Sequence, residues 1–324
     1  MWGLMAPEAG SERQFISYAQ NFEDVMLWRA LGHVSPGIYI DIGAQDPIID
    51  SVSLAFYERG WRGVHVEPNP AYAERLRVAR PDENVIEAAI GATSDTIDFY
   101  EIADTGLSTG DASLADEHRQ RGFSVNRIKV PCRPLSDILD EMTDQVIHWM
   151  KIDVEGMERE VISTWAPSAV RPWIIVIEST KPNTKNPTFS DWEEIISKLG
   201  YKFVYFDGLN RFYISIRHLE LQSYFCYGPN IFDNFSLSGL ASAPFCRQML
   251  AVIQAREQEA EQRMEREKAL RHDAEQQANQ AASRLREAER LIMEIHASRS
   301  WRVTSPFRAA MNFIRRMSRQ THEG

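Results

Sequence analysis

Four short apolar runs in this chain each close on a carboxylate: G-I-Y-I-D at Asp41, G-V-H-V-E at Glu67, W-M-K-I-D at Asp153 and W-I-I-V-I-E at Glu178. Short runs of this kind, bounded by turn residues, are strands of a sheet buried on both faces. A charge is tolerated there only where the strand leaves the sheet, so the four acids are expected at one rim. The full set of strand-like runs covers 37–42, 63–66, 84–90, 148–154, 173–177 and 201–206. Helical stretches at 50–59, 71–79, 135–142, 158–164 and 191–199 lie among them. This alternation predicts an α/β fold, a mainly parallel sheet with helices on both faces. Such a sheet binds its ligand at the carboxyl ends of the strands, where the strand order reverses.

The composition changes near residue 240. Residues 247–297 hold no Gly, Pro or aromatic and are dominated by Ala, Glu, Gln and Arg, as in a long exposed helix. A heptad register with Leu250 at position a places apolar residues at eleven of fourteen a and d positions, the exceptions being Glu257, Glu267 and Arg271. That spacing predicts a coiled coil with a weak middle, through which the chain self-associates or meets a partner. A single solvated helix is the alternative. The expected organisation is a globular domain at 14–235, a linker at 236–246, a coiled-coil helix at 247–297 and a basic tail at 298–324.

The chain carries a net charge of −10, which argues against a nucleic-acid partner. Its tail is different, with six arginines and no acid between Ser298 and Gln320. There Phe307, Met311, Ile314 and Met317 recur at near-helical spacing, flanked by Arg308, Arg315, Arg316 and Arg319. This is the pattern of a helix lying on an anionic membrane surface, and it equally suits an acidic partner protein. No stretch approaches the ~18 apolar residues of a membrane span. The first residues lack a signal-like apolar run. Cys132, Cys226 and Cys246 lie far apart with no metal-ligand spacing. The expected location is cytoplasmic, peripheral at the inner face of the cytoplasmic membrane.

The motifs that carry chemistry sit at the strand ends. Gly43 follows Asp41, and a glycine there lets the backbone approach a ligand. Glu67 comes 24 residues after Gly43, well placed to take both hydroxyls of a ribose. Ordinary turn chemistry can also put acids and glycine at such ends. No G-x-G-x-x-G follows the first strand, since Ala44, Gln45, Asp46 and Pro47 come after Gly43. That speaks against NAD or FAD and fits a cofactor with one ribose and no phosphate, such as S-adenosylmethionine. Further on, Lys151, Asp153 and Glu155 alternate along a strand and its exit and so share a face. They are either a self-satisfying ion pair or part of an active site beside the first two strands. Asp153 and Glu155 are the candidates for a catalytic base. The clustered acids could hold Mg²⁺, but no spacing demands a metal, and no metal ligands are assigned. His118 is expected to be a solvated surface residue. Trp61, Trp173 and Trp192 are expected to pack in or near the core. A hairpin is expected at 206–212, with Asp207 and Gly208 in its turn and Asn210 and Arg211 near an acceptor cleft.

S-Y-A-Q-N-F-E-D-V-M-L (17–27), Y-I-D-I-G-A-Q (39–45), G-W-R-G-V-H-V-E-P-N-P (60–70), K-I-D-V-E-G-M-E (151–158) and Y-F-D-G-L-N-R-F-Y (205–213) together resemble the FkbM-type S-adenosylmethionine-dependent methyltransferases, in the branch found with bacterial surface-polysaccharide genes. The resemblance covers roughly residues 14–235. It implies a seven-stranded Rossmann-like sheet of class I methyltransferase type and O-methylation of a hydroxyl. It also implies that Asp41 and Gly43 belong to the cofactor motif, that Glu67 binds ribose, and that Asp153, Glu155 and Gly156 stand beside the reacting methyl. At Asp46–Pro47 the chain departs from the pattern, where many relatives carry a second glycine. S-R-S-W-R-V-T-S-P-F-R (298–308) is similar to a segment that follows coiled coils in bacterial polysaccharide glycosyltransferases. The resulting expectation is a methyltransferase acting on a sugar or glycan hydroxyl. Action on a polyketide or lipid hydroxyl, or a non-catalytic cofactor-binding scaffold, are the alternatives.

Overall fold

The computed structural model describes residues 14–92, 95–103 and 105–320, without the side chains of 314–320. The reading made on the first thirteen residues, and those on the side chains of Ile314, Arg315, Arg316, Met317 and Arg319, lie outside the described residues. Among the described residues, a sheet is formed by Ile38–Ile42 (β1), Arg62–Val66 (β2), Asn84–Ile86 (β3), Trp149–Ile152 (β4), Ile174–Glu178 (β5), Tyr201–Phe206 (β6) and Asn210–Ser215 (β7). Their order across the sheet is β6-β7-β5-β4-β1-β2-β3. β1 pairs in parallel with β2 and β4, and β4 in parallel with β5. β7 runs antiparallel to both β5 and β6. A parallel β7 would need a long crossover, whereas the tight turn after Phe206 permits only the antiparallel pairing.

The two faces of the sheet are both covered, as the continuous apolar runs require. Ile40, Ile42, Met150, Ile152, Ile175 and Ile177 point to one face, against Leu135, Ile138, Val161, Ile162 and Ile196 from the helices on that side. Tyr39, Trp149, Ile174, Val176 and Phe212 point to the other, against Met26, Leu27 and Leu31 of the helix Glu23–Leu31 and against Phe56 and Trp61. Tyr39 and Trp149 stack at 4.6 Å between ring centroids. Trp61 and Trp192 are core residues, and Trp173 packs at its margin on His148 and His218.

Three local expectations are corrected. The run at 84–90 is not one strand. It leaves the sheet after Ile86, and Ala89–Ile90 pairs with Asn126–Arg133 in a separate three-stranded sheet with Thr96–Glu101. The helix read at 50–59 shrinks to Leu54–Tyr57, because Ser51 and Ser53 are held by the buried Arg80 guanidinium at 2.8 Å each. His118 is buried, edge-on to Phe123, and burial keeps its pKa below the ordinary value.

The segment expected as a linker packs on the globular domain. Phe235–Leu237 pairs in parallel with Phe15–Ser17, and Ala241, Ala243 and Cys246 are buried. The chain divides into compact units at Leu250/Ala251. Arg247–Ala297 is one uninterrupted helix of 51 residues with no buried side chain, about 76 Å long. It ends at Ser298, whose extended backbone and side-chain oxygen cap the next helix, Arg299–Val303. The helix Ser305–Gln320 follows. No helix among the described residues is long and apolar enough to cross a membrane.

A chain ending after Leu250 is expected to melt cooperatively. One ending after Ser236 loses Leu237, the strand partner of Ser17, and the buried Ala241, Ala243 and Cys246, and is expected to melt at least about 4 °C lower. Circular dichroism melts of the two compare them. Equal midpoints would show that 237–250 contributes nothing to the fold.

Candidate active site

The strand order reverses between β1 and β4, and the site forms there. Gly43 ends β1 with φ +77, and a Cβ on it would lie 1.7 Å from the Asp153 carbonyl oxygen. Glycine is therefore required by the neighbouring strand end itself, not only by a ligand. The Gly43 amide donates to the Val66 carbonyl at 2.9 Å, and the Asp153 amide to Ile42 at 3.1 Å. The ends of β1, β2 and β4 are thus bonded up to the rim.

Glu67 lies at this rim, and the loop after Gly43 folds onto it. Its Oε2 accepts the Gln45 amide and its Oε1 the Asn69 amide, both at 2.8 Å. E-P-N-P explains the second contact: Asn69 caps the helix Pro70–Ala79 through the Ala71 amide, with Pro70 at its first position. Burial pushes the Glu67 pKa up to about 7, with the two backbone amides pulling the other way. In the same loop, Asp46 Oδ1 accepts the Ile48 and Ile49 amides, and the Pro47 carbonyl accepts from Arg80. Asp46–Pro47 therefore makes a self-bonded turn.

Asp41 stands elsewhere. It is 2% exposed and lies behind the cavity wall rather than in it. In register it sits between Lys151 of β4 and His65 of β2. Its Oδ2 accepts the Ser53 hydroxyl at 2.7 Å, and Ser53 accepts from Arg80. Through Ser53 and Arg80 it is tied to the loop after Gly43.

A cavity of about 1100 Å³ opens at the rim, more than one small ligand needs. Gly43, Glu67 and Tyr72 line one part of it, beside Ile90, Ile97 and Phe99. Lys151, Asp153, Glu155 and Glu178 line another, with Glu23 and Asp207. Gly43, Glu67, Asp153 and Glu155, four of the five residues expected from sequence, share this cavity. Reasoning from sequence missed Glu23 and Asp207. Their signal was the N-F-E-D and F-D-G-L-N motifs, but nothing local joins segments so far apart. Asn210 joins them from behind, donating to Glu23 Oε1 at 2.7 Å and Asp207 Oδ2 at 3.2 Å. Arg211 does not line the cavity. It pairs with Glu193 and lies over Phe189 and Phe203.

The acids at this end perturb one another. Lys151 Nζ donates to Asp153 Oδ2 at 2.7 Å, so the expected ion pair exists inside the site. Burial opposes the charge on Lys151, yet Asp153, Asp41 and Glu23 outweigh it and hold its pKa above the ordinary value. Burial, then Asp153 and Glu158, pushes Glu155 well above the usual carboxylate range against the pull of Lys151. Burial and Asp207 push Glu23 up to about 8. Glu155 has φ 51 and Gly156 φ 94, a left-handed pair in which the non-glycine residue costs about 1–3 kcal/mol. Glu158 Oε1 holds this turn by accepting the Gly156 amide at 3.1 Å.

A sheet in this order, with an acid at the end of its second strand and a cavity at its switch point, is the class I methyltransferase fold. Residues 41–203, half of the chain, match the family described as the methyltransferase FkbM domain. The chain belongs to that family and is an S-adenosylmethionine-dependent methyltransferase. No curated protein matches the chain. It is similar to a TehB-like SAM-dependent methyltransferase from Corynebacterium glutamicum, with 10% identity over 64% of this chain and 90% of that one and a TM-score of 0.33. An O-methyltransferase from Bacillus cereus in complex with SAH gives 12% identity over 63% and 82%, with a TM-score of 0.31. The magnesium protoporphyrin IX methyltransferase of Synechocystis PCC 6803, with bound SAM, gives 10% over 60% and 78% at 0.33. Likenesses this distant carry no argument about chemistry.

The residues present fit S-adenosylmethionine. Each Glu67 oxygen accepts one backbone amide and keeps a further lone pair for a ribose hydroxyl. The ionised carboxylate is the better acceptor, so affinity for S-adenosylhomocysteine is expected to rise roughly tenfold from about pH 6 to about pH 8. Glu67→Gln should flatten that rise in calorimetric titrations. Stability runs the other way for this group. Its raised pKa favours the fold below the unfolded value near 4.5, and that contribution is lost as pH rises through about 7.

Proposed function

We propose that the chain methylates a hydroxyl of a sugar in a bacterial surface polysaccharide or its precursor. The observation that carries this is the acidic end of the cavity, where Glu23, Asp153, Glu155, Glu178 and Asp207 outnumber the lining cations Lys151 and Lys185. Carboxylates accept hydrogen bonds from hydroxyls and repel anions. A polyhydroxylated, uncharged or cationic acceptor satisfies them. An apolar polyketide or lipid would leave them buried and unpaired. The resemblance of 298–308 to segments of polysaccharide glycosyltransferases supports the same setting.

Glu67 would hold the ribose, and Tyr72, Ile90, Ile97 and Phe99 would flank the base. The bound cofactor supplies an electrophilic methyl on a sulfonium. The chain's own task is to hold the acceptor oxygen in line with that methyl, about 3 Å away, and to take the hydroxyl proton. Glu155 suits the second role best. Its raised proton affinity matches an alcohol more closely than an ordinary carboxylate does. Asp153, fixed by Lys151, orients the hydroxyl and can share the proton.

Glu155→Gln and Asp153→Asn are each expected to lower turnover about 10²–10⁴-fold while leaving S-adenosylhomocysteine affinity unchanged. Transfer of radiolabelled methyl from S-adenosylmethionine to cell-envelope glycan tests the acceptor. Label entering only the lipid extract would overturn the sugar assignment, and label entering neither would remove both acceptors.

We read the 251–324 unit as placing the enzyme. The apolar heptad positions Met264, Leu285, Ile292 and Ile295 are exposed along the helix, as a self-associating seam would be in a single chain. Phe307 and Met311 are exposed beside Arg308 on the last helix, which supports contact with an anionic membrane surface. A chain ending after Leu250 is expected to be monomeric by sedimentation velocity and not to pellet with anionic vesicles. Raised salt should partly release the full chain from them. A truncated chain that still self-associates, or a full chain that never pellets, would defeat the corresponding half of this reading.

A further inference from the structure

The register between β4 and β5 pairs Lys151 with Val176 and Ile152 with Ile177. Continued by one residue, it brings Glu178 opposite Asp153, and the left-handed turn after Asp153 returns Glu155 toward both. One carboxylate oxygen from each of these residues lies within 4.8 Å of the other two. Sequence spacing concealed this group, because one member comes from a different strand.

Three carboxylates so close repel one another unless a positive charge lies among them. Lys151 supplies one charge, and its hydrogen bond goes to Asp153 alone. Glu155 and Glu178 are left with no hydrogen-bonded cation, to be relieved by a proton or a metal ion. Glu178 shows the deficit most directly. It is 6% exposed, its Oε2 accepts no hydrogen bond, and it lines the cavity. A buried carboxylate oxygen without a donor is an unfilled ligand position.

We propose that Asp153, Glu155 and Glu178 bind one hard divalent cation of the Mg²⁺ or Mn²⁺ type. An all-oxygen donor set selects such ions, and the group contains no His or Cys to favour zinc. The double charge balances the deficit. Mg²⁺ sites commonly use one or two carboxylates and leave the other positions to water or substrate. Here those positions would face the cavity, so the ligand class is an acceptor hydroxyl oxygen, whose proton the cation would loosen. Each carboxylate offers the ion one oxygen, and Glu155 and Glu178 keep the other for the acceptor. That role rests on the methyl-transfer reading above, whereas the binding of the cation does not.

The test uses the full chain, stripped of metal with a chelator and titrated with Mn²⁺, the free ion being followed by electron paramagnetic resonance. The expected result is one Mn²⁺ bound per chain and displaced by Mg²⁺. Affinity should fall at least about tenfold in Glu178→Gln and in Glu155→Gln. Absence of binding to the wild-type chain, or equal binding to the variants, would overturn the proposal. Melting temperatures guard against misfolding. Glu178→Gln relieves a buried repulsion and should melt at or above the wild type without metal. Added Mn²⁺ should raise the midpoint of the wild type only, and an equal rise in both chains would overturn the site. Mn²⁺ binding without methyl transfer to glycan would leave the cation site standing and remove the sugar reading. Methyl transfer at full rate by a chain that binds no Mn²⁺ would do the reverse.

Discussion

The close approach of Gly43 to the Asp153 carbonyl organises the site. A side chain at residue 43 would lie 1.7 Å from that oxygen. Only with glycine there can β1 and β4 stay paired to their last residues. From that contact the chain diverges in two directions. One loop turns back over Glu67 through the Gln45 amide. The other makes the left-handed turn that presents Glu155. The two ends of the cavity are therefore fixed relative to each other by the backbone contact and by the Glu67 and Glu158 carboxylates that accept the loop amides.

Beneath this lies a row of buried polar and charged side chains. Lys151, Asp41 and His65 are register neighbours on adjacent strands, with Arg80 and Glu83 beyond. Such groups are costly to bury alone, and each member keeps a partner through at least one atom. Its consequence is mechanical. Arg80 bonds Ser51, Ser53 and the Pro47 carbonyl and so fastens the loop that roofs the cofactor end. The acids on the cavity side are different. Burial and mutual repulsion raise Glu155, Glu178 and Glu23, a strain that only a ligand, a proton or a cation relieves. Perturbed groups gathered in a cavity mark a working site.

The 236–250 segment shows how composition can mislead. S-L-S-G-L-A-S-A-P has the small residues of a linker, yet those residues let it lie flat on the domain, pair with Phe15–Ser17 and close the cavity wall at 242–245. His118 misled for a related reason. It lies in a polar stretch, but a helical turn carries it inward against Phe123. Long-range packing decided the burial of the first, and the inward face of a short helix that of the second.

Sequence alone determined the strands, their acidic ends, the glycine turn, the long helix and the family. These are local properties: periodicity, turn chemistry and motif order need no knowledge of what lies opposite. It also named Gly43, Glu67, Asp153 and Glu155, because an acid closing a buried run has few other reasons to be there. Tertiary structure decided what those residues face. It placed Asp41 behind the wall, since strand register set it between Lys151 and His65 and gave its oxygen to Ser53. It brought Glu23 and Asp207 into the cavity through Asn210, across nearly the full length of the domain. It also joined Glu178 to Asp153 and Glu155, which only the pairing of two parallel strands can do. Register and crossover are non-local, and no window of sequence contains them.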